Sequence, residues 1–252
     1  MSKNALITGA GRRIGRAIAC ALAEKGWGVA LHYRHSADAA QTLHGEITAR
    51  GGRAAVIQAD LAEIADVQRL VAEARDALGP LHCLVNNASL FENDTLHDVT
   101  AESFHTHMDT NLLAPLLLTR DFARQLPPGE KGNVINIADQ RVFNLRPDFL
   151  SYTLSKTGLW TLTQTAAMAL APQVRVNAIG PGPTLANSRQ SADDFRAEQA
   201  SVPLGYGPSP EEIALGVLFI LDARSMTGEF IALDGGQHLP TSGQMNAETS
   251  HE

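Results

Sequence analysis

Ala5-Leu6-Ile7-Thr8-Gly9-Ala10-Gly11-Arg12-Arg13-Ile14-Gly15 is the stretch on which the fold turns. A short apolar run passes directly into glycines and then into a helical pattern near 14–25. Glycine lets a backbone turn sharply and approach a ligand, while the following helix start offers free N–H groups and the positive end of a dipole. A strand, turn and helix of this make suit a pyrophosphate. The spacing is T-G-x-x-x-R-x-G rather than G-x-G-x-x-G.

Outward from this unit the same alternation continues. Val-, Ile- and Leu-rich runs at Ala5–Thr8, Gly28–Arg34, Arg53–Ala59, Leu81–Asn86, Asn133–Ala138, Val174–Ile179 and Phe230–Asp234 read as strands. Helical periodicity fills 14–25, 37–50, 63–78, 100–126, 150–171 and 209–222. Continuously apolar strands separated by helices predict an α/β fold, a single Rossmann-like doubly wound parallel sheet of about seven strands with helices on both faces. No linker divides the chain, so residues 1–240 form one expected domain and 241–252 a polar tail. Residues 183–208, with Pro183, Pro203, Gly205, Gly207 and Pro208, break the rhythm and predict a lid containing a short polar helix between 190 and 200.

Composition bounds the chemistry. The 252 residues are 44% hydrophobic and only 5% aromatic, and the formal net charge is −7. That is enough apolar material for a core and the wrong sign for nucleic acid or an anionic membrane surface. The longest apolar run, Ile213–Leu221, is too short to cross a bilayer, and no secretory leader is read at the N-terminus. Two cysteines, Cys20 and Cys83, in a predicted helix and strand, make no disulfide framework, so a cytoplasmic protein is expected. Nine histidines invite a metal search. His105 and His107 point apart on a predicted helix, no His-Glu-x-x-His occurs, and the pair reads as exposed surface with no metal expected. Ser155 lacks a Gly-x-Ser-x-Gly elbow, which argues against a serine hydrolase.

The glycine turn, Asn86-Asn87-Ala88, Asn111, Tyr152-x-x-x-Lys156 and Pro181-Gly182 resemble, in order and spacing, the short-chain dehydrogenase/reductase family over residues 4–239. The family's usual glycine motif has Gly where this chain has Arg13. A carboxylate ending the second strand would bind ribose hydroxyls and repel a 2′-phosphate. Here that strand ends in His32-Tyr33-Arg34-His35-Ser36, which predicts NADPH, with Arg34 and Ser36 as phosphate ligands and His35 assisting. The resemblance also implies cofactor contacts from Gly9, Arg13, Ile14, Tyr33, Asp60, Leu61, Asn87, Ala88, Lys156, Pro181, Gly182 and Thr184. Asp60 is either the adenine-amine acceptor or an N-cap.

Tyr152 and Lys156 stand four residues apart and share one helix face. A nearby ammonium is expected to lower the phenol's pKa so that the pair exchanges a proton at neutral pH. The resemblance makes Tyr152 the acid/base, gives Lys156 the nicotinamide ribose, and associates Asn111 with a water and proton relay. Thirteen residues before the tyrosine, ordinary family members carry a serine, and this chain carries Asp139. An ionised carboxylate would repel a developing alkoxide, whereas it suits an amidine-like N–H edge, and a protonated one donates to a ring nitrogen. Asp139, Tyr152, Lys156 and Arg13, with Asn86-Asn87-Ala88-Ser89-Leu90-Phe91, resemble the pteridine reductase branch. That resemblance implies that Phe91 stacks the pterin and that Ser89 and Arg13 contact its polar edge. The expectation is an NADPH-dependent reductase of a small-molecule dihydropterin, acting as a homotetramer built through helices 100–126 and 150–171. A generic carbonyl reductase and a catalytically weak NADPH-binding regulator are the competing readings.

Overall fold

The computed structural model describes residues 3–186 and 190–239. The tail 241–252 therefore lies outside the described residues, as do three positions of the expected lid. Seven parallel strands form one sheet in the order β3-β2-β1-β4-β5-β6-β7, comprising β1 (Asn4–Ile7), β2 (Gly28–Tyr33), β3 (Ala54–Gln58), β4 (Cys83–Asn86), β5 (Gly132–Ile137), β6 (Val174–Pro181) and β7 (Phe230–Leu233). Parallel neighbours need crossovers, and helices supply them.

Alternation along the strands divides the core in two. Leu6, Ala30, Leu84 and Val134 meet α3 (Ile64–Leu78), α5 (Ala114–Gln125) and α6 (Leu150–Leu170) on one face. Ile7, Leu31, Val85 and Ile135 meet α1 (Arg13–Glu24), α2 (Ala37–Ala49) and α8 (Pro210–Asp222) on the other. Both faces are covered, which is why the strands read as continuously apolar. The doubly wound sheet is the architecture expected from the sequence.

The single helix expected over 100–126 is more articulated. It begins as α4 (Ala101–Met108), widens into a π-helical turn at Asp109–Leu113, and continues as α5. A capping box between Thr100 and Ser103 starts it. The π turn carries Asn111, whose polar side chain is buried and bonded to neighbouring segments instead of lying on a helix surface. The polar helix expected within the lid is present as α7 (Ala192–Ser201), with a Ser191–Asp194 capping box. Among the described residues no helix is long and apolar enough to cross a membrane.

The strand order reverses between β1 and β4. In such sheets the crevice beyond the strand carboxyl ends at this reversal is where ligands bind. The glycine turn after β1 and the Asn87-Ala88 segment after β4 meet there.

Candidate active site

Two cavities open at this edge. The first, about 440 Å³, is walled by the glycine turn, by Tyr33-Arg34-His35-Ser36 at the end of β2 and by Asn87-Ala88-Ser89. Its shape depends on backbone proximity. Gly9 has φ of +65°, and a Cβ there would lie 3.1 Å from Ala88 Cα. A Cβ on Gly15 would overlap Gly9 O and come within 2.6 Å of Asn87 Nδ2. Thr8 Oγ1 accepts from the N–H groups of Asn87 and Ala88 at 2.9 Å, and Asn87 Nδ2 donates to Thr8 O at 2.8 Å. These bonds tie the β1 and β4 exits together.

His32, at the end of β2, adds a third tie. Its Nδ1 accepts from Gly9 N at 3.0 Å, its Nε2 bonds Ala59 O at 3.0 Å, and its carbonyl accepts from Ala10 N at 2.9 Å. These partners require a neutral ring protonated on Nε2. Burial agrees, holding the imidazole down at about 4.

The walls of this cavity include Arg12, Arg13 and Arg34 and no carboxylate. Arg34 Nε lies 2.6 Å from His35 Nε2 and 3.3 Å from Asp60 Oδ2. A polyanion with phosphates at both ends of the crevice fits this charge distribution. Asp60 and Leu61 stand outside the walls. Leu61 is buried in the core, and Asp60 Oδ1 accepts from Ala62 N while α3 takes Glu63 as its N-cap.

The second cavity, about 470 Å³, joins the first along Arg13, Ile14, Asn87 and Ser89 and runs under the lid. Asp139, Tyr152 and Lys156 converge on it, with Phe91, Pro181, Gly182 and Thr184 in its walls. Tyr152 OH donates to Asp139 Oδ2 at 2.6 Å, and Arg141 N donates to Asp139 Oδ1 at 2.8 Å. Lys156 Nζ donates to Ile137 O at 2.8 Å. Burial pushes the Asp139 carboxyl up and the Lys156 ammonium down to about 8. The expected lowering of the phenol is reversed. Burial and the Asp139 carboxylate push Tyr152 well above the usual tyrosine range, because the lysine's proton faces a carbonyl while the hydroxyl faces an anion. The phenol therefore holds its proton at neutral pH.

Asn111 does not line the cavity. Its Oδ1 accepts from Leu90 N at 2.8 Å, and its Nδ2 donates to Leu90 O and to Ser155 Oγ, both at 3.0 Å. Ser89 Oγ reaches the same Oδ1 at 3.3 Å. Asn111 thus pins the segment leading to Phe91 against the tyrosine helix. Arg13, at φ of +54°, donates to Leu185 O at 2.9 Å and Ala186 O at 2.6 Å, so the arginine of the glycine turn holds the near end of the lid.

Several residues of the site had no sequence signal. Buried Asp94 accepts from Ser151 N at 2.8 Å, from Ser151 Oγ at 2.5 Å and from Ser103 Oγ at 2.9 Å, fastening the start of α6 one residue before Tyr152. His107, expected on the surface with His105, is buried. Its Nε2 accepts from Glu92 N at 3.2 Å and its Nδ1 bonds Ser103 O at 2.8 Å, while His105 is exposed as expected. Asp234 anchors the turn after β7 by accepting from Gly236 N and His238 N. The bonds from Asp94 to Ser151 and from Glu92 to His107 join separate segments, which no local pattern connects.

The sheet, the glycine turn and the Tyr152–Lys156 pair define the class. A family model for short chain dehydrogenases matches residues 3–197, and the chain belongs to that family. Among its relatives, an uncharacterized oxidoreductase of Methylorubrum extorquens is 36% identical over 242 residues, covering 93% of this chain and 97% of its own. The 3-oxoacyl-acyl-carrier-protein reductase FabG of Staphylococcus aureus is 32% identical over 244 residues, covering 95% and 99%. Among solved structures, FolM alternative dihydrofolate reductase 1 from Brucella canis, complexed with NADP, has a TM-score of 0.92 at 46% identity and covers 95% of both chains. A blue fluorescent protein from a metagenomic library, in complex with NADPH, has a TM-score of 0.86 at 32% identity, covering 93% of this chain and 97% of its own.

Proposed function

We propose that this protein is an NADPH-dependent pteridine reductase that converts a dihydropterin to a tetrahydropterin. The observation that carries the reading is the half-buried Asp139 carboxyl, 2.6 Å from the Tyr152 hydroxyl in the wall of the second cavity. A carbonyl being reduced needs donors around an oxygen that gains charge. A carboxylate opposes that charge, whereas it can accept from the N–H edge of a pterin or, protonated, donate to a ring nitrogen. The similarity to FolM supports the same reading, and the similarity to FabG is what keeps a carbonyl reductase as its rival.

The dinucleotide would lie along the first cavity, with Gly9, Arg13 and Ile14 beside its pyrophosphate and Arg34, His35 and Ser36 at the 2′-phosphate. Asp60, Leu61, Asn87 and Ala88 would border the adenosine half, and Lys156, Pro181, Gly182 and Thr184 the nicotinamide half. When bound, NADPH supplies a hydride. The hydride would go to the carbon of a C=N bond, and the protein would supply the proton that the nitrogen gains. Tyr152 keeps that proton at neutral pH, Asp139 holds the phenol in place, and Lys156 supplies positive charge beneath the ring. Phe91 offers an aromatic face to the pterin, with Ser89 and Arg13 at its polar edge. A homotetramer through α4–α5 and α6 would cover Leu116, Leu154 and Met168, which are exposed in the single chain.

NADPH oxidation measured side by side with dihydrobiopterin, dihydromonapterin, dihydrofolate and a panel of ketones tests the reading. Turnover of at least one dihydropterin is expected, and Asp139→Ser should lose it. Turnover of ketones alone would overturn the assignment in favour of the carbonyl reductase, and no turnover at all in favour of a regulator.

A further inference from the structure

A closed circuit of contacts surrounds the pair that handles the proton, and two of its members have no assigned role. Tyr152 OH donates to one oxygen of Asp139, and Arg141 N donates to the other at 2.8 Å. The Arg141 guanidinium carbon lies 4.9 Å from the centre of the Phe149 ring. Phe149 stacks on Phe91 with centroids 4.2 Å apart and planes 4° from parallel. Phe91 then meets Tyr152 edge-on at 4.7 Å, which closes the loop.

Both unassigned members are held in place independently. The Arg141 side chain is largely covered, and its Nη1 donates to Asp148 Oδ1 at 3.0 Å. Phe149 sits in the left-handed region at φ of +54°, and its N–H donates to Asn93 Oδ1 at 2.9 Å. A phenylalanine adopts that conformation only where its surroundings compel it. The constraint orients the ring so that one flat partner, a guanidinium, and another, Phe91, can lie against it.

We propose that Arg141 and Phe149 are positioning residues for substrate. Together they fix the plane of Phe91 and the orientation of Asp139, and so set how tightly a flat heterocycle is held against Tyr152. This rests on the pteridine reductase reading. Arg141 acts in two separable ways. Its planar group packs on Phe149, and its charge favours the ionised forms of Asp139 and Tyr152. Asp148, paired with Arg141 and close to Arg146, Lys156, close to Asp139, and His107, whose ring lies 6.4 Å from that of Tyr152, are the other titratable or charged groups bearing on this circuit.

Three variants separate the contributions. Each is tested by dihydropterin binding to the NADP-loaded protein, followed by fluorescence, by NADPH binding, and by the pH profile of pterin turnover. Arg141→Met leaves the backbone N–H on Asp139 but removes the charge and the planar group. It should weaken pterin binding roughly tenfold and move the pH limb upward. Arg141→Lys should leave the limb in place while still weakening binding. Phe149→Leu should weaken binding without moving the limb. NADPH affinity should match the parent in all three.

Parental pterin affinity and an unmoved limb in Arg141→Met and Phe149→Leu would overturn the inference while leaving the function intact. An equal fall in NADPH affinity, with a lower melting midpoint, would also overturn it, as the mark of a merely structural role. A parent protein that binds NADPH but no dihydropterin would overturn both the inference and the reading beneath it.

Discussion

The two cavities beyond the sheet are built in opposite ways. The first is made from backbone. Glycines at 9 and 15 leave no room for a Cβ, Thr8 caps two N–H groups of the β4 exit, and His32 bonds Gly9 N and Ala59 O. The second is made from side chains that arrive from separate segments. Asp139 follows β5, Tyr152 and Lys156 ride on α6, Phe91 follows β4, and Asp94 and Asn111 hold those pieces against one another. A backbone cradle suits a part of the ligand that is common to many enzymes, while a side-chain cluster can be retuned one residue at a time.

If the division is real, damage to one half should spare the other. The largest expected effect is Tyr152→Phe, which removes the hydroxyl on Asp139 and should lower turnover by roughly 10²–10⁴-fold. NADPH affinity, read by fluorescence titration, should hold, and a parallel loss of cofactor binding would break the division.

Acid should attack the first cavity through His32. Its folded value of about 4, set mainly by burial, lies below the ordinary 6.5, so the unfolded chain binds the proton more readily. The contribution of the neutral ring is fully present above pH 6.5 and is lost as pH falls toward 4, amounting to about 3 kcal/mol at the limit. Urea midpoints at several pH values should show this slope, and His32→Gln should flatten it.

Arg34→Glu places a carboxylate where a 2′-phosphate is expected and should raise the KM for NADPH about tenfold relative to NADH. Pterin binding to the cofactor-loaded enzyme should change little, and an unchanged cofactor preference would show that Arg34 serves only its contacts with His35 and Asp60. The smallest effect belongs to Ser103→Ala, which removes one bond to Asp94 and one half of a capping box. It should cost about 1 kcal/mol in denaturant midpoint. No change would mean that Ser151 alone suffices to hold Asp94.

The same contrast explains what could be read in advance. Strand ends differ from their expected positions by a residue or two, because continuous apolar runs and 3.6-residue periodicity are local signals. The Tyr152–Lys156 face and the glycine turn are legible for the same reason. His107 was not: its spacing from His105 describes a helix surface, and only the packing of the 92–94 segment against α4 puts it inside. The direction of the tyrosine shift was also hidden. Sequence places a lysine one turn away, while the fold aims that lysine at Ile137 O and an aspartate at the hydroxyl.

Sequence by itself determined the parallel sheet, the dinucleotide-type turn, the basic end of β2 and the presence of Asp139 in the site, since each depends on residue type and short-range spacing. Tertiary structure alone decided which proton the site holds, what braces Phe91, and how the two cavities join. Those depend on burial and on contacts between distant segments, and neither distance nor desolvation has a local pattern in a chain.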